Sequence, residues 1–112
     1  MRERRLKMHL YSMEDFQKLN SPENMVVTQH SRRRFSERNI KISDIEEVIR
    51  TGEIIEYYPE DYPVPSCLIL GISEKRRIHI VASIMDGMIY LITAYVPDPL
   101  QWDSDLKKRK EE

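Results

Sequence analysis

The fold is decided by residues 66–96, SCLILGISEKRRIHIVASIMDGMIYLITAYV. Three apolar runs, Ser66 to Ile72, Arg77 to Met85 and Met88 to Val96, are separated by the polar turn Ser73-Glu74-Lys75-Arg76 and by Asp86-Gly87. Asp-Gly suits a two-residue type I′ turn, in which both central residues need positive φ. Three strands joined by tight turns predict an antiparallel meander. In the middle strand Ile78, Ile80, Ala82 and Ile84 alternate with Arg77, His79, Val81, Ser83 and Met85. With the Ile set packed on a helical layer, His79 and Ser83 project from the opposite, more solvated face.

Upstream, Glu53 to Tyr58 reads as a fourth strand, and Pro59 to Pro65, with three prolines and two acids, as a loop. Ser43 with Glu46 forms a capping box, Asp44 suits the positive end of a helix dipole, and Ile45, Val48 and Ile49 form one apolar stripe. These predict a helix from Asp44 to Thr51 with Gly52 at a left-handed C-terminal position. Thr28 caps a helix over 29–38, and Met25-Val26-Val27 permits a brief strand or an extended lead to it. Met13, Phe16 and Leu19 recur at helical spacing after Ser12, with Asp15 three residues on, predicting a two-turn helix that Asn20 to Asn24 breaks. Pro97-Asp98-Pro99 ends the last strand, Leu100 and Trp102 fold back onto the body, and the end is charged. The expectation is α+β: N-terminal helices packed on a curved four-stranded antiparallel sheet. Residues 1–24 read as a helical extension, 25–103 as the domain and 104–112 as a disordered tail.

The 112 residues suit one domain, and 40% apolar with 33% charged side chains lets the chain bury a modest core. The lone cysteine, Cys67, cannot form an internal disulfide, which fits a reducing, cytoplasmic setting. Met1 to Arg5 is basic like the start of a signal peptide, but no apolar segment follows it and no 18-residue apolar run occurs, so no membrane is expected. The net charge of −1 speaks against broad nucleic-acid binding. Position changes this reading. Residues 1–50 carry 11 basic and 8 acidic side chains, residues 51–112 carry 7 and 11, and five cations face one acid within 28–41.

That basic cluster holds the first candidate site. His30, Arg34 and Arg38 are spaced by four, so on a helix they fall along one narrow face about 6 Å apart. Ribonucleases that form a cyclic phosphate need a base, an acid and cations for the phosphorane oxygens. Histidine titrates near neutrality, and arginine offers phosphate a permanently charged fork. Arg33 adds a cation beside them, although arginine-rich helix faces are more often solvated surfaces paired with acids such as Glu37. A regular register from Met85 opposite Met88 sets His79 opposite Ala94 and turns Tyr95 to the other face. A His79/Tyr95 pair therefore needs a bulge, and without one Tyr95 reads as a core aromatic. His9, His30, His79 and Cys67 lack metal-ligand spacing, so no metal is expected. Cys67 lies in an apolar strand as an inert small hydrophobe, and three scattered glycines leave no nucleotide-cradling loop and no expected cofactor.

The pattern Thr28-x-His30 followed by Arg34, Arg38 and Ile40, then Ser43-x-x-Glu46, Gly52-Glu53-Ile54-Ile55-Glu56, Pro65 to Gly71, His79-Ile80-Val81 and Thr93-Ala94-Tyr95 resembles a small bacterial and archaeal family of domains of unknown function. Its members look like RelE-type and MqsR-type toxins. The resemblance implies a barnase, colicin and RelE type of fold and an antitoxin partner with a zinc-binding module. It places His30, Arg34, Arg38, His79, Thr93 and Tyr95 at motif positions. The leading expectation is thus a metal-independent mRNA endonuclease of a toxin and antitoxin pair, acting on RNA or the ribosome. His30, His79 and Tyr95 are its catalytic candidates, and Arg34, Arg38 and Arg33 bind phosphate. The alternative is a non-enzymatic RelE-like module that binds a protein by strand addition at a sheet edge, or binds RNA. A homodimer covered by the extension 1–24 is compatible with either.

Overall fold

The computed structural model of the chain describes residues 11–111, so the readings of Met1 to Arg5 and of His9 lie outside the described residues. Helix α1, Met13–Lys18, opens as expected: Ser12 Oγ accepts the Asp15 amide while Asp15 accepts the Ser12 amide at 2.8 Å. Its Phe16 is fully buried in the main core, so residues 11–24 pack onto the domain. A 3₁₀ turn, Pro22–Asn24, leads into strand β1, Met25–Val27. Helix α2, Gln29–Glu37, is capped by Thr28, whose Oγ1 accepts the Ser31 amide at 3.0 Å.

Helix α3, Ile42–Thr51, starts two residues earlier than the Ser43/Glu46 reading requires. Asp44 explains the shift. It is buried, and its carboxylate accepts the Lys41 amide at 2.8 Å and the Ser73 hydroxyl at 2.6 Å, which ties the start of α3 to the sheet. Gly52 has φ −92°, not a left-handed conformation. A glycine is needed there for space, since a Cβ would sit 2.8 Å from Ile69 Cγ2 and 2.9 Å from the Leu70 carbonyl oxygen.

Four further strands follow: β2, Glu53–Tyr58; β3, Ser66–Ser73; β4, Arg76–Met85; and β5, Met88–Tyr95. The α+β class stands, but the sheet has five strands in the order β1-β5-β4-β3-β2 and is mixed rather than four-stranded and antiparallel. The correction is β1, which pairs parallel with β5 from Met25/Ile89 to Val27/Leu91. Three residues carry too little periodicity to announce a strand from sequence. The Asp86-Gly87 turn adopts φ of 54° and 73°, as a type I′ hairpin requires, with Met85 opposite Met88.

One sheet face packs on the helices. Cys67, Ile69, Ile78, Ile80, Ala82, Leu91 and Ala94 join Phe35, Ile45, Val48 and Ile49 in one apolar cluster. Burial pushes the Cys67 thiol up to about 12, so it stays protonated and packs as a hydrophobe. The other face carries His79, Ser83 and Leu68, and all three are buried rather than solvated. Part of their cover is the C-terminal segment. Residues 97–111 fold back as a hairpin in which Trp102 pairs with Arg109, the Asp103 amide donates to the Lys108 carbonyl and the Lys110 amide to the Gln101 carbonyl. Residues 104–111, read from sequence as a disordered tail, belong to this hairpin. Trp102 folds back as expected, but Leu100 remains 81% exposed.

Candidate functional site

The β4/β5 ladder runs regularly from Met85/Met88 to Ala82/Leu91 and then slips by one residue, so that Val81 faces Thr93 and His79 faces Tyr95. Ile92 is the extra residue on β5. The slip puts Tyr95 on the same face as His79, which a bulge-free register forbids. The rings meet edge to face with centroids 5.3 Å apart, and His79 Nδ1 lies 3.3 Å from the Tyr95 hydroxyl.

On its far side the His79 ring meets the C-terminal hairpin. Its Nε2 lies 2.8 Å from the Leu106 carbonyl oxygen, and the Trp102 ring stands edge to face at 4.5 Å. Arg109 stacks on Trp102 at 4.6 Å and forks onto Glu56 of β2 with bonds of 3.1 and 3.2 Å. Tyr58 donates its hydroxyl to the same carboxylate at 2.6 Å, and Lys107 pairs with Glu53 at 3.3 Å. Burial and that bond raise the Tyr58 phenol to about 12.

These contacts fix the proton positions. A carbonyl only accepts, so Nε2 carries the proton of the neutral ring and Nδ1 accepts the Tyr95 hydroxyl proton. Burial holds His79 below its ordinary value of 6.5, against the upward pull of the Leu106 carbonyl and Glu56, so the ring is neutral at pH 7. Burial likewise raises the Tyr95 phenol, while Arg109 and Arg38 oppose the rise. A neutral phenol bonded to an imidazole acceptor can pass one proton to it while taking another from a bound hydroxyl.

Arg38, the C-cap of α2, is the candidate cation held on the segment of β5 that carries Tyr95. Its Nη1 donates to the Ala94 carbonyl at 2.7 Å and to Thr93 Oγ1 at 3.4 Å, and Ser31 Oγ anchors the other end of α2 to the Ile92 carbonyl at 2.9 Å. The bulge residue and its neighbours thus supply the docking points of α2. His30 and Arg34 are exposed on the same helix. Eight residues of rise set His30 about 12 Å along the helix axis from Arg38. Arg33 is exposed on another flank, beside Gln29, Arg32, Ser36 and Glu37. Both ring nitrogens of His79 are engaged, by Tyr95 and by the Leu106 carbonyl. Among the described residues no three His, Cys, Asp or Glu side chains converge as a metal site. No described helix is long and apolar enough to cross a membrane. Sequence reasoning missed the roles of Glu56, Tyr58, Leu106 and Arg109, although Arg109 lies in the cationic run Lys107 to Lys110, which begins five residues past the chain's one tryptophan.

The fold and site define an α+β domain with an imidazole–phenol pair on its sheet, flanked by a helix-borne arginine. Residues 27–96 match the family described as Domain of unknown function (DUF4258), and the chain belongs to it. Arg38, His79 and Tyr95 fall within the matched span, while Trp102, Leu106 and Arg109 lie beyond it. No curated protein and no solved structure matches the chain.

Proposed function

We propose that the protein is a metal-independent endoribonuclease of the RelE-like toxin kind, acting in the cytoplasm and restrained by an antitoxin protein. The observation that carries this reading is the Tyr95 hydroxyl bonded to His79, on the stretch of β5 whose Thr93 and Ala94 hold Arg38. In cleavage, the ribose 2′-hydroxyl gives its proton to Tyr95 Oη as Tyr95 gives its own to His79 Nδ1. The 2′-oxygen attacks phosphorus, the bond to the 5′-oxygen breaks, and the leaving oxygen takes a proton from solvent. The products are a 2′,3′-cyclic phosphate and a 5′-hydroxyl. The Leu106 carbonyl and the Glu56 charge favour the imidazolium that forms, and Arg38 offsets the charge on the phosphorane oxygens. His30 and Arg34 contact neighbouring phosphates, and Arg33 adds long-range attraction.

Induced expression in a bacterial host tests this reading together with a cleavage assay on purified protein. Wild type arrests growth and cuts RNA to cyclic-phosphate ends, while Tyr95→Phe and Arg38→Ala each slow cutting by about a hundredfold. Intact RNA with wild type, or undiminished cutting by Tyr95→Phe, rejects it. A second reading, a non-enzymatic RNA- or protein-binding module, is favoured by the engagement of both His79 nitrogens. It predicts RNA binding without cleavage, or salt-insensitive association with a partner protein.

A further inference from the structure

We infer that the C-terminal hairpin is a working part of the site: through the Leu106 carbonyl and the Trp102 ring it holds His79 in the one orientation in which Nδ1 can take the Tyr95 proton. The chemical consequence rests on the cleavage reading above. The hold on the ring rests on geometry alone.

Four observations carry it. The hairpin closes on itself through the Trp102/Arg109 pairing and its backbone bonds, so it is a built element rather than a trailing end. Its most buried side chain, Trp102, packs on His79 rather than on the helical core. Leu106 adopts φ 62°, an unfavourable conformation for a branched side chain, at the residue whose carbonyl receives the His79 Nε2 proton. Arg109 clamps the assembly to Glu56, so the hairpin is fastened to the far strand of the same sheet face. An imidazole held at Nε2 by a fixed acceptor cannot turn Nδ1 away from Tyr95, and a covering indole keeps water off the ring. Trp102 and Leu106 are thus positioning residues, acting through His79.

The charged and titratable groups around His79 are Tyr95 on β5, Glu56 and Tyr58 on β2, and Arg109 on the hairpin. Loosening the hairpin admits water to the ring, which shifts its titration up toward the ordinary 6.5. Because the relay needs neutral His79, the acid limb of the cleavage profile moves to higher pH in parallel.

Nitrogen-15 NMR of the His79 ring, with the cleavage profile against pH on a short single-stranded RNA, tests this in the full chain. The expectation is that Trp102→Ala raises the His79 titration, speeds Nε2 proton exchange, moves the acid limb by the same interval and slows cleavage by about tenfold or more. Trp102→Phe, which keeps an aromatic contact, restores all four. Should Trp102→Ala fail to fold, Arg109→Ala removes the clamp from a largely exposed side chain and is read the same way. Unchanged ring titration and exchange once the hairpin is detached, judged by new protease sensitivity at residues 97–111, overturns the inference. So does a changed ring with an unmoved acid limb. A changed ring in a protein whose wild type leaves RNA uncut removes the cleavage reading and leaves the hairpin's hold on His79 standing.

Discussion

Replacing Asp44 by alanine should destabilise the domain by roughly 3 kcal/mol, and the sum can be worked bond by bond. Asp44 accepts the Ser73 hydroxyl at 2.6 Å, the Lys41 amide at 2.8 Å and Arg76 Nη2 at 3.3 Å. Ser73 is buried, so losing its acceptor strands a hydroxyl at about 1–3 kcal/mol, and the helix-start amide adds about 1 kcal/mol. The Arg76 bond is partly solvated and adds a few tenths. For a domain of about this size, roughly 3 kcal/mol lowers Tm by about 12–24 °C, which calorimetry resolves directly. Asp44→Asn keeps the shape and one acceptor, so it should cost about 1 kcal/mol. The carboxylate carries a pH signature as well. Burial works against its ionised form, but the Ser73, Lys41 and Arg76 contacts outweigh that and hold it below the usual 3.8. Its stabilisation is complete above pH 3.8 and is lost as pH falls through the lowered value, so the gap between wild type and Asp44→Ala must narrow in acid. A deficit under about 1 kcal/mol at neutral pH, or a gap that stays constant down to pH ~2, refutes the account.

Gly71→Ala should lower the urea midpoint by an amount equivalent to about 1–3 kcal/mol or more, because the added Cβ would sit 2.7 Å from Val48 Cα and 2.8 Å from Val48 Cγ1, forcing α3 off the sheet. An unchanged midpoint shows that this contact is not tight. Deleting Ile92 should heal the bulge and leave His79 opposite Tyr95, at the expense of the Ser31 bond to the Ile92 carbonyl, about 1 kcal/mol. Deleting Ala94 should instead turn Tyr95 toward the core, so a His79–Tyr95 contact in the NMR spectra of that variant contradicts the register argument.

What could be read from the sequence follows from how local its cause was. The type I′ turn and the Thr28 cap arise from residues adjacent in the chain, and each appears where expected, whereas the alternation of β4 holds for which residues face the helices but not for exposure, because the hairpin covers His79. The start of α3 lies at Lys41 because Asp44, three residues on, accepts its amide, and the bond from Ser73, twenty-nine residues away, holds that carboxylate against the sheet. The position of Gly52 at a helix end suggests a left-handed conformation, but its need is space against β3, which only the packed structure reveals. Strand β1 is too short for periodicity to register, and its partner lies more than sixty residues on. The hairpin over 97–111 has a polar, charged sequence of the sort that stays solvated unless a specific surface receives it. Trp102 was the one residue in it large enough to predict a landing.

The candidate site shows the same dependence more sharply. Its residues were identifiable one by one, but their grouping was not, because side-chain facing in a strand has period two and a single inserted residue reverses it. Without Ile92 counted as extra, Tyr95 belongs to the core and His79 stands alone. With it, the two face one another. The same segment of β5 offers the Ile92 and Ala94 carbonyls to Ser31 and Arg38 of α2. One irregularity in the ladder therefore accounts for the phenol beside the imidazole, and the residues next to it on β5 hold Arg38. The His30, Arg34 and Arg38 face, a unit by spacing, is divided by its contacts: Arg38 bonds to the sheet through Thr93 and Ala94, while His30 and Arg34 are exposed.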